Sequence, residues 1–324
     1  MRAVKQHRQG GADQLYIGEV ERPAPGVDEI LVKVKYAALN RADILQREGK
    51  YPPPPGSSEI LGLELSGVVE VCGEGVTEWK PGDRVFGLVP GGAQAEWAVI
   101  HKRMALPLPN ELGFEKCAAI PEVFLTAYQA LVWLAKVKKG EKVVIHAGGS
   151  GVGTAGIQLA RFVEAEPFVT ASMTKHNTCI ELGANAAFDY NAPDFWERIR
   201  EKTGGVDIIV DPVGGKYFGE NLNLLNRDGR LIMLAAMGGI KTESVNVGQI
   251  VFKRIQIQGT TLRSRSLGYQ IALTQDFWSR TREAFIQQKL KPVIDRIFPL
   301  DQIQEAHQFM EGNRNIGKIL LKIS

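Results

Sequence analysis

The sequence predicts an α/β protein in which an all-β region is followed by a doubly wound parallel sheet, and three observations carry that expectation. Up to about Leu108 the chain runs in short alternating segments, such as Ile30-Leu31-Val32-Lys33-Val34 and Leu65-Ser66-Gly67-Val68-Val69-Glu70-Val71, separated by Pro, Gly and Asp turns. That period of two is the mark of half-buried strands. From Cys117 onward the texture changes, and strand-like and helix-like stretches alternate through Asp207-Ile208-Ile209-Val210-Asp211 and Arg230-Leu231-Ile232-Met233-Leu234. Such alternation folds as a parallel sheet with helices on both faces. Within it, Val143-Val144-Ile145-His146-Ala147-Gly148-Gly149-Ser150-Gly151-Val152-Gly153 passes from a β-branched run through a glycine-rich turn into a helical pattern at Ile157, Leu159 and Ala160.

The remaining elements follow in order. Met1-Arg2-Ala3-Val4-Lys5 opens directly into a strand pattern, without the apolar core of a signal peptide. Pro52 to Pro55 can neither continue a helix nor donate to a sheet, so they form a stiff loop. A helix is expected over Thr126 to Ala135 and a strand at Pro167-Phe168-Val169-Thr170-Ala171. After Gly259 come a helix around Asp276 to Gln288, a strand near Arg296-Ile297-Phe298, a helix at Ile303 to Met310 and a closing strand at Lys318-Ile319-Leu320-Leu321. The 324 residues suggest two domains, and no internal repeat is visible.

Composition excludes several classes of function. Charged residues make up 23% and the net charge is +3, so nothing in the electrostatics calls for nucleic acid or an anionic membrane. No apolar run is long enough to span a bilayer, which makes a cytoplasmic location the expectation. Cys72, Cys117 and Cys179 are few and unclustered, which suits free thiols in a reducing compartment and offers no tetrahedral zinc spacing.

The chemistry concentrates at the glycine turn. Gly148, Ser150 and Gly153 give the spacing G-x-S-x-x-G, with serine where the usual fingerprint has its second glycine. Glycines there let the backbone approach a pyrophosphate, and the N–H groups at Gly151, Val152 and Gly153 on the following helix attract its charge. A bound dinucleotide is the expectation. NAD-selective sites place a carboxylate after the second strand, whereas here that strand runs into Ser172-Met173-Thr174-Lys175-His176. A hydroxyl, a lysine and a histidine suit a 2′-phosphate, which points to NADPH. Ser172 could equally cap the helix carrying Ile180, Leu182 and Ala184, with Lys175 solvated in its first turn.

Other chemistries are poorly served. His101 and His307 stand far apart with no nucleophile motif beside them, and Ser150 is not the centre of a G-x-S-x-G elbow. Of the acids Glu64 and Glu122, the first reads as a structural hydrogen-bonding residue.

Several motifs together resemble one family, the medium-chain dehydrogenases/reductases, and within it the zeta-crystallin-like quinone oxidoreductases that lack zinc. They are Ala38-Leu39-Asn40-Arg41-Ala42-Asp43, Gly62-Leu63-Glu64-Leu65-Ser66-Gly67, Pro81-Gly82-Asp83-Arg84-Val85, Gly91-Gly92-Ala93-Gln94-Ala95-Glu96-Trp97, the glycine turn and Asn315-Ile316-Gly317-Lys318. The stretch Asn40 to Gly56 with Ile60 to Glu64 is similar to the subgroup induced by a tumour suppressor in animals.

The resemblance implies a GroES-like β-barrel catalytic domain from residues 1–121 and 266–324, and a Rossmann domain binding NADPH at 122–265. It places Asn40 and Leu63 where zinc enzymes of the superfamily have a cysteine and a histidine ligand, which implies a metal-free enzyme. Without a Lewis acid the acceptors would be those that take hydride readily, quinones such as ortho-quinones or activated alkenes such as 2-alkenals, enones and enoyl thioesters. A crystallin-like structural or RNA-binding role is a third reading, disfavoured by the charge.

On residues alone Asn40 reads equally as a turn residue and Tyr51 as a ring packed on the proline loop; the resemblance makes both of them substrate-positioning donors. It also places Thr126 near the nicotinamide, Lys175 and Tyr190 at the 2′-phosphate, and Met237 and Gly238 at the nicotinamide ribose. Leu262 to Arg265 would follow the cleft, with Leu262 and Ser264 binding the cofactor, as would Asn315 at the domain junction. The resemblance also implies a homodimer or dimer of dimers, for which the edge strand near Ile255-Gln256-Ile257 offers a surface.

Overall fold

The strand Glu29–Leu39 organises one of the two units of the computed structural model, which describes residues 1–242 and 245–324. This unit comprises Met1–Leu125 and Arg263–Ser324. The strand buries Ile30, Val32 and Val34 completely, as its alternation requires. Glu64–Cys72 runs antiparallel along one edge, while Lys318–Lys322 and Trp97–His101 share the other, pairing with its second and first halves. Arg84–Leu88 and Ala105–Pro107 extend the sheet on one side, and Ile294–Pro299 lies parallel to Lys318–Lys322 on the other. The chain's last strand therefore sits beside one of its first.

A helix at Leu267–Ile286 supplies this unit with much of its aromatic core. Ser266 caps it by accepting from the Tyr269 N–H at 3.4 Å. Phe124 meets Phe285 edge-on at 4.9 Å between ring centroids, and Phe86 meets Trp278 at 5.1 Å. The helix begins nine residues before the expected Asp276, because Ile271, Thr274, Trp278, Thr281 and Phe285 already form one buried face.

The second unit, Thr126–Leu262, holds a six-stranded parallel sheet. Its spatial order is Ala186–Asp189, Glu166–Ala171, Lys142–Ile145, Val206–Asp211, Leu225–Met233, Gln256–Gly259. The chain winds outward from Lys142–Ile145 on one side and then restarts beside it with Val206–Asp211. That reversal makes it a doubly wound α/β sheet, and ligands of such sheets bind outside the carboxyl ends of the strands at this point. Inner strands are apolar on both faces, since helices cover both: Val143, Val144, Ile208 and Ile209 are fully buried.

Two local expectations are revised. The region up to Leu108 is not wholly β, because a helix occupies Arg41–Arg47. The Asn40 N–H donates to Asp43 Oδ2 at 2.7 Å, the return half of a capping box that starts this helix straight after a strand. The helix expected at Thr126 to Ala135 starts earlier, at Pro121–Tyr128, and continues as a π-helical stretch over Gln129–Leu134. Proline suits a first helical position, where its missing N–H costs no hydrogen bond. Among the described residues no helix is long and apolar enough to cross a membrane.

Candidate functional site

The carboxyl ends of the parallel strands carry most of the residues that the sequence points to. After Lys142–Ile145 the chain makes the glycine turn and enters the helix Gly151–Phe162, whose N-cap Ser150 accepts from the Gly153 N–H at 3.0 Å. The turn leaves no room for side chains: a Cβ on Gly153 would stand 2.3 Å from the Ala147 carbonyl oxygen. After Glu166–Ala171, Ser172 opens a 3₁₀ turn, Met173–Lys175, and its side chain does not cap it; its Oγ lies 3.4 Å from Thr174 Oγ1. The capping role considered for Ser172 is thus not taken up, because the helix proper starts only at His176. Lys175 instead lies against the glycine turn, where a Cβ on Gly149 would be 2.5 Å from Lys175 Cδ.

The other residues assigned to this surface fall into place by strand. Tyr190 follows Ala186–Asp189 and is 43% exposed. Met237 and Gly238 follow Leu225–Met233, and the Gly238 N–H donates to the Val213 carbonyl at 2.7 Å. Thr126 and Leu262 lie at the two chain boundaries of this unit. Ser264 and Asn315 belong to the other unit; Asn315 Nδ2 donates to the Gly317 carbonyl at 2.7 Å.

In the first unit three neighbouring strand ends bring Asn40, Glu64 and Lys318 together. Lys318 is 3% exposed and Glu64 fully buried. The ammonium lies 2.7 Å from Glu64 Oε1 and donates to Asn40 Oδ1 at 2.6 Å and to the Leu39 carbonyl at 2.8 Å. All three of its hydrogens are thereby used. Glu64 Oε1 also accepts from Asn40 Nδ2 at 2.9 Å, and Oε2 accepts from the Glu122 backbone N–H at 2.8 Å. Beside it Asp43 accepts from the Asn40 and Gly62 N–H groups, yet burial still raises its pKa to about 6. Burial, with the Glu64 charge adding, pushes Glu122 up to about 8.

Tyr51 and Arg263 complete this cluster. Arg263 is anchored by Nε and Nη2 on the Pro90 carbonyl, at 2.8 and 2.5 Å, and its guanidinium carbon stands 5.6 Å from the centre of the Tyr51 ring. Nη1 is buried and makes no hydrogen bond. Burial raises the Tyr51 phenol above its usual range, with Glu122 adding and Arg263 opposing, so at neutral pH the hydroxyl keeps its proton.

These contacts change the role expected of Asn40. Its amide nitrogen is directed at Glu64 Oε1 and at the Ala38 carbonyl, 3.4 Å away. Asn40 is thus held at both ends of its side chain within the charged cluster, and Tyr51 lies beside it against Arg263. The position matched to the second zinc ligand, Leu63, is 1% exposed and has no donor atom. Among the described residues no group of three His, Cys, Asp or Glu could hold a metal ion. Sequence reasoning did not single out Lys318 as the buried cation of this cluster; the available signal was a lysine opening the apolar run Ile319-Leu320-Leu321. It also gave no role to His146, Asn221 or Asp211, which lie widely separated along the chain.

Comparisons with known proteins agree with this fold. Residues 26–110 match the alcohol dehydrogenase GroES-like domain and residues 182–321 the zinc-binding dehydrogenase domain. The chain is 32% identical to a Danio rerio synaptic vesicle membrane protein VAT-1 homolog, over 96% of its own length and 68% of that protein's. It is 31% identical to a Lama guanicoe quinone oxidoreductase, over 99% and 97% of the two chains. Among solved structures it is similar to the Escherichia coli quinone oxidoreductase complexed with NADPH, with a TM-score of 0.89, 28% identity and coverage of 99% and 100%.

The raised pKa of Glu122 has a consequence for stability. A carboxyl that binds its proton more tightly folded than unfolded stabilises most below the unfolded value, and that contribution is lost as pH rises to about 8. Glu122→Gln, neutral throughout, is therefore expected to match the wild type near pH 4.5 and to exceed it in unfolding midpoint by a margin that grows up to pH 8. Urea melts across that range give the comparison, and a margin independent of pH would contradict the assignment.

Proposed function

The chain belongs to the medium-chain dehydrogenase/reductase family, on its quinone oxidoreductase side, and from that membership we propose that it is an NADPH-dependent, zinc-independent reductase of quinones. The observation that carries the cofactor choice is Lys175 lying over Gly149, with Ser172 beside it and no carboxylate in the 3₁₀ turn that follows the second strand. The residues present fit a dinucleotide: the glycine turn excludes side chains where a pyrophosphate would approach, and the helix behind it presents the N–H groups of Gly151 and Val152. Ser172, Lys175 and Tyr190 would hold the 2′-phosphate, and Thr126, Met237 and Gly238 the nicotinamide end.

When bound, NADPH supplies a hydride from its nicotinamide. The chain's own part is to place the acceptor and to meet the negative charge that grows on its oxygen. Tyr51 does this with a phenol that remains protonated, and Arg263 beside its ring adds positive potential without giving up its own proton. Asn40, Lys318 and Glu64 act one step back by fixing the backbone between Leu39 and Asp43. Zinc has no part in this reading, since the amide of Asn40 is committed and Leu63 offers no ligand atom. Acceptors that need no Lewis acid follow from this, quinones first.

The edge strand Gln256–Gly259 is exposed along its whole length, and the helix before it leaves Val251 67% and Phe252 80% exposed. An open edge flanked by apolar side chains suits pairing with the same strand of a second copy. We place the homodimer, or dimer of dimers, at this edge.

Lys175→Ala is expected to weaken NADPH binding by about 1.5–3 kcal/mol while leaving NADH nearly unchanged; titration of nucleotide fluorescence measures both, and equal wild-type affinity for the two nucleotides would refute NADPH selectivity. Tyr51→Phe should lower kcat for 1,2-naphthoquinone by about tenfold to a hundredfold, with a smaller change in KM. Unaltered kcat with intact NADPH binding would remove Tyr51 from the mechanism. Light scattering at micromolar concentration should give at least a dimer mass, reduced to that of a monomer by Phe252→Glu; a wild-type monomer would refute the edge pairing.

A further inference from the structure

Beneath the carboxyl ends of the strands in the second unit, four buried polar side chains form a continuous hydrogen-bonded chain. Thr170 Oγ1 lies 3.0 Å from His146 Nδ1, and His146 Nε2 lies 2.8 Å from Asn221 Oδ1. Asn221 Nδ2 donates to Asp211 Oδ2 at 2.9 Å. None of the four is more than 1% exposed.

The chemistry of the end group sets the direction of every bond. Asp211 Oδ1 accepts from the backbone N–H groups of Val213 at 2.6 Å and Gly214 at 3.1 Å, and Oδ2 takes the amide hydrogen of Asn221. Asn221 therefore turns its oxygen to the imidazole. An amide oxygen only accepts, so His146 carries its proton on Nε2, and Nδ1 accepts from the Thr170 hydroxyl. Burial lowers the pKa of His146 and keeps the ring neutral. Edge-on contacts from Trp196 and Tyr217, at 5.6 and 4.9 Å between centroids, hold its plane.

Both ends of this chain reach backbone that faces the proposed cofactor. At one end the Thr170 carbonyl accepts from the Gly148 N–H at 2.9 Å, the first glycine of the turn. At the other, Asp211 shapes the Val213–Gly214 turn, from which the next loop hangs. Gly238 donates to the Val213 carbonyl at 2.7 Å, Met237 to that of Pro212 at 3.2 Å, and Gly215 accepts the arrangement by donating to that of Gly239 at 2.8 Å. Turn and loop meet without slack: Gly214 has φ of 82°, and a Cβ on it would stand 2.7 Å from Ala236 Cα. Packing alone would be served as well by four apolar side chains, so a fully matched polar chain at the point where strand order reverses calls for a positional role.

We propose that His146, Asn221 and Asp211 are positioning residues that set the Val213–Gly214 turn, and through it Met237 and Gly238, for the nicotinamide half of the cofactor. The adenosine end is left to Lys175. This inference rests on the NADPH reading above, and the two are separable by ligand.

The test compares NADPH with 2′,5′-ADP, which carries the adenosine and its 2′-phosphate but no nicotinamide, on the full-length protein by titration calorimetry. His146→Leu and Asn221→Leu are expected to weaken NADPH about tenfold, the size of one lost buried hydrogen bond, and to change 2′,5′-ADP by less than about twofold on the same scale. His146→Gln, which keeps one donor and one acceptor, should recover most of the loss. Asp211→Asn is isosteric and keeps an acceptor for the turn, so it remains available if the leucine variants do not fold, and it should shift the two ligands in the same unequal way. Equal weakening of both ligands in folded variants, or no weakening of either, would overturn the proposal. Wild-type protein that binds neither ligand would overturn the cofactor reading itself.

Discussion

The ion pair between Lys318 and Glu64 is the constraint on which the first unit turns. Both side chains are out of water, at 3% and 0% exposure, and an uncompensated charge in that position would cost several kcal/mol. Each must therefore find every partner that its chemistry allows. Lys318 takes a carboxylate, an amide oxygen and a carbonyl; Glu64 takes an ammonium, an amide and a backbone N–H. Satisfying both groups fixes the end of the long strand Glu29–Leu39, the start of Glu64–Cys72 and the start of the closing strand. The helix Arg41–Arg47, which carries Asp43, is then anchored by the Asn40 and Gly62 N–H groups. Removing either charge would strand the other.

This arrangement explains why the acids around it behave differently. Glu64 has a cation in contact, whereas Asp43 has two N–H groups and Glu122 has a negative neighbour instead. Glu122, raised to about 8, is thus mostly protonated at neutral pH, while Asp43, raised to about 6, is mostly ionised. Tyr51 and Arg263 lie beside the same acids, and burial above all keeps the Tyr51 phenol protonated and able to donate, with Arg263 opposing. The reduction proposed above, which would place charge on a substrate oxygen without a metal, needs such donors held in place.

The second unit solves a different problem with backbone. Its helices and strands aim N–H groups and loops at one end of the sheet, and glycines at 148, 149 and 153 keep that end free of side chains. The buried chain from Thr170 to Asp211 couples the loops on either side of the reversal, and its fixed bond directions leave the imidazole one tautomer. Polar groups are costly in a core unless all are matched, and here each finds its partner.

Much of this was legible in the order of residues. Alternation of period two marked the strands of the first unit, the exchange of strand and helix marked the parallel sheet, and the glycine turn announced itself because every residue it needs lies within eleven positions. The helix Arg41–Arg47 escaped because its capping box sits directly against a strand, and the start of Leu267–Ile286 because its first turn exposes Leu267. Local structure was thus legible in sequence: which residues turn and which alternate. Tertiary structure alone decided what those residues do. Lys318 reaches Glu64 across most of the chain, Asn40 is held between them, and His146 finds Asn221 and Asp211. The reason is physical: burial sets the strength of a charge or hydrogen bond, and burial is a property of packing between distant segments, which no local pattern records.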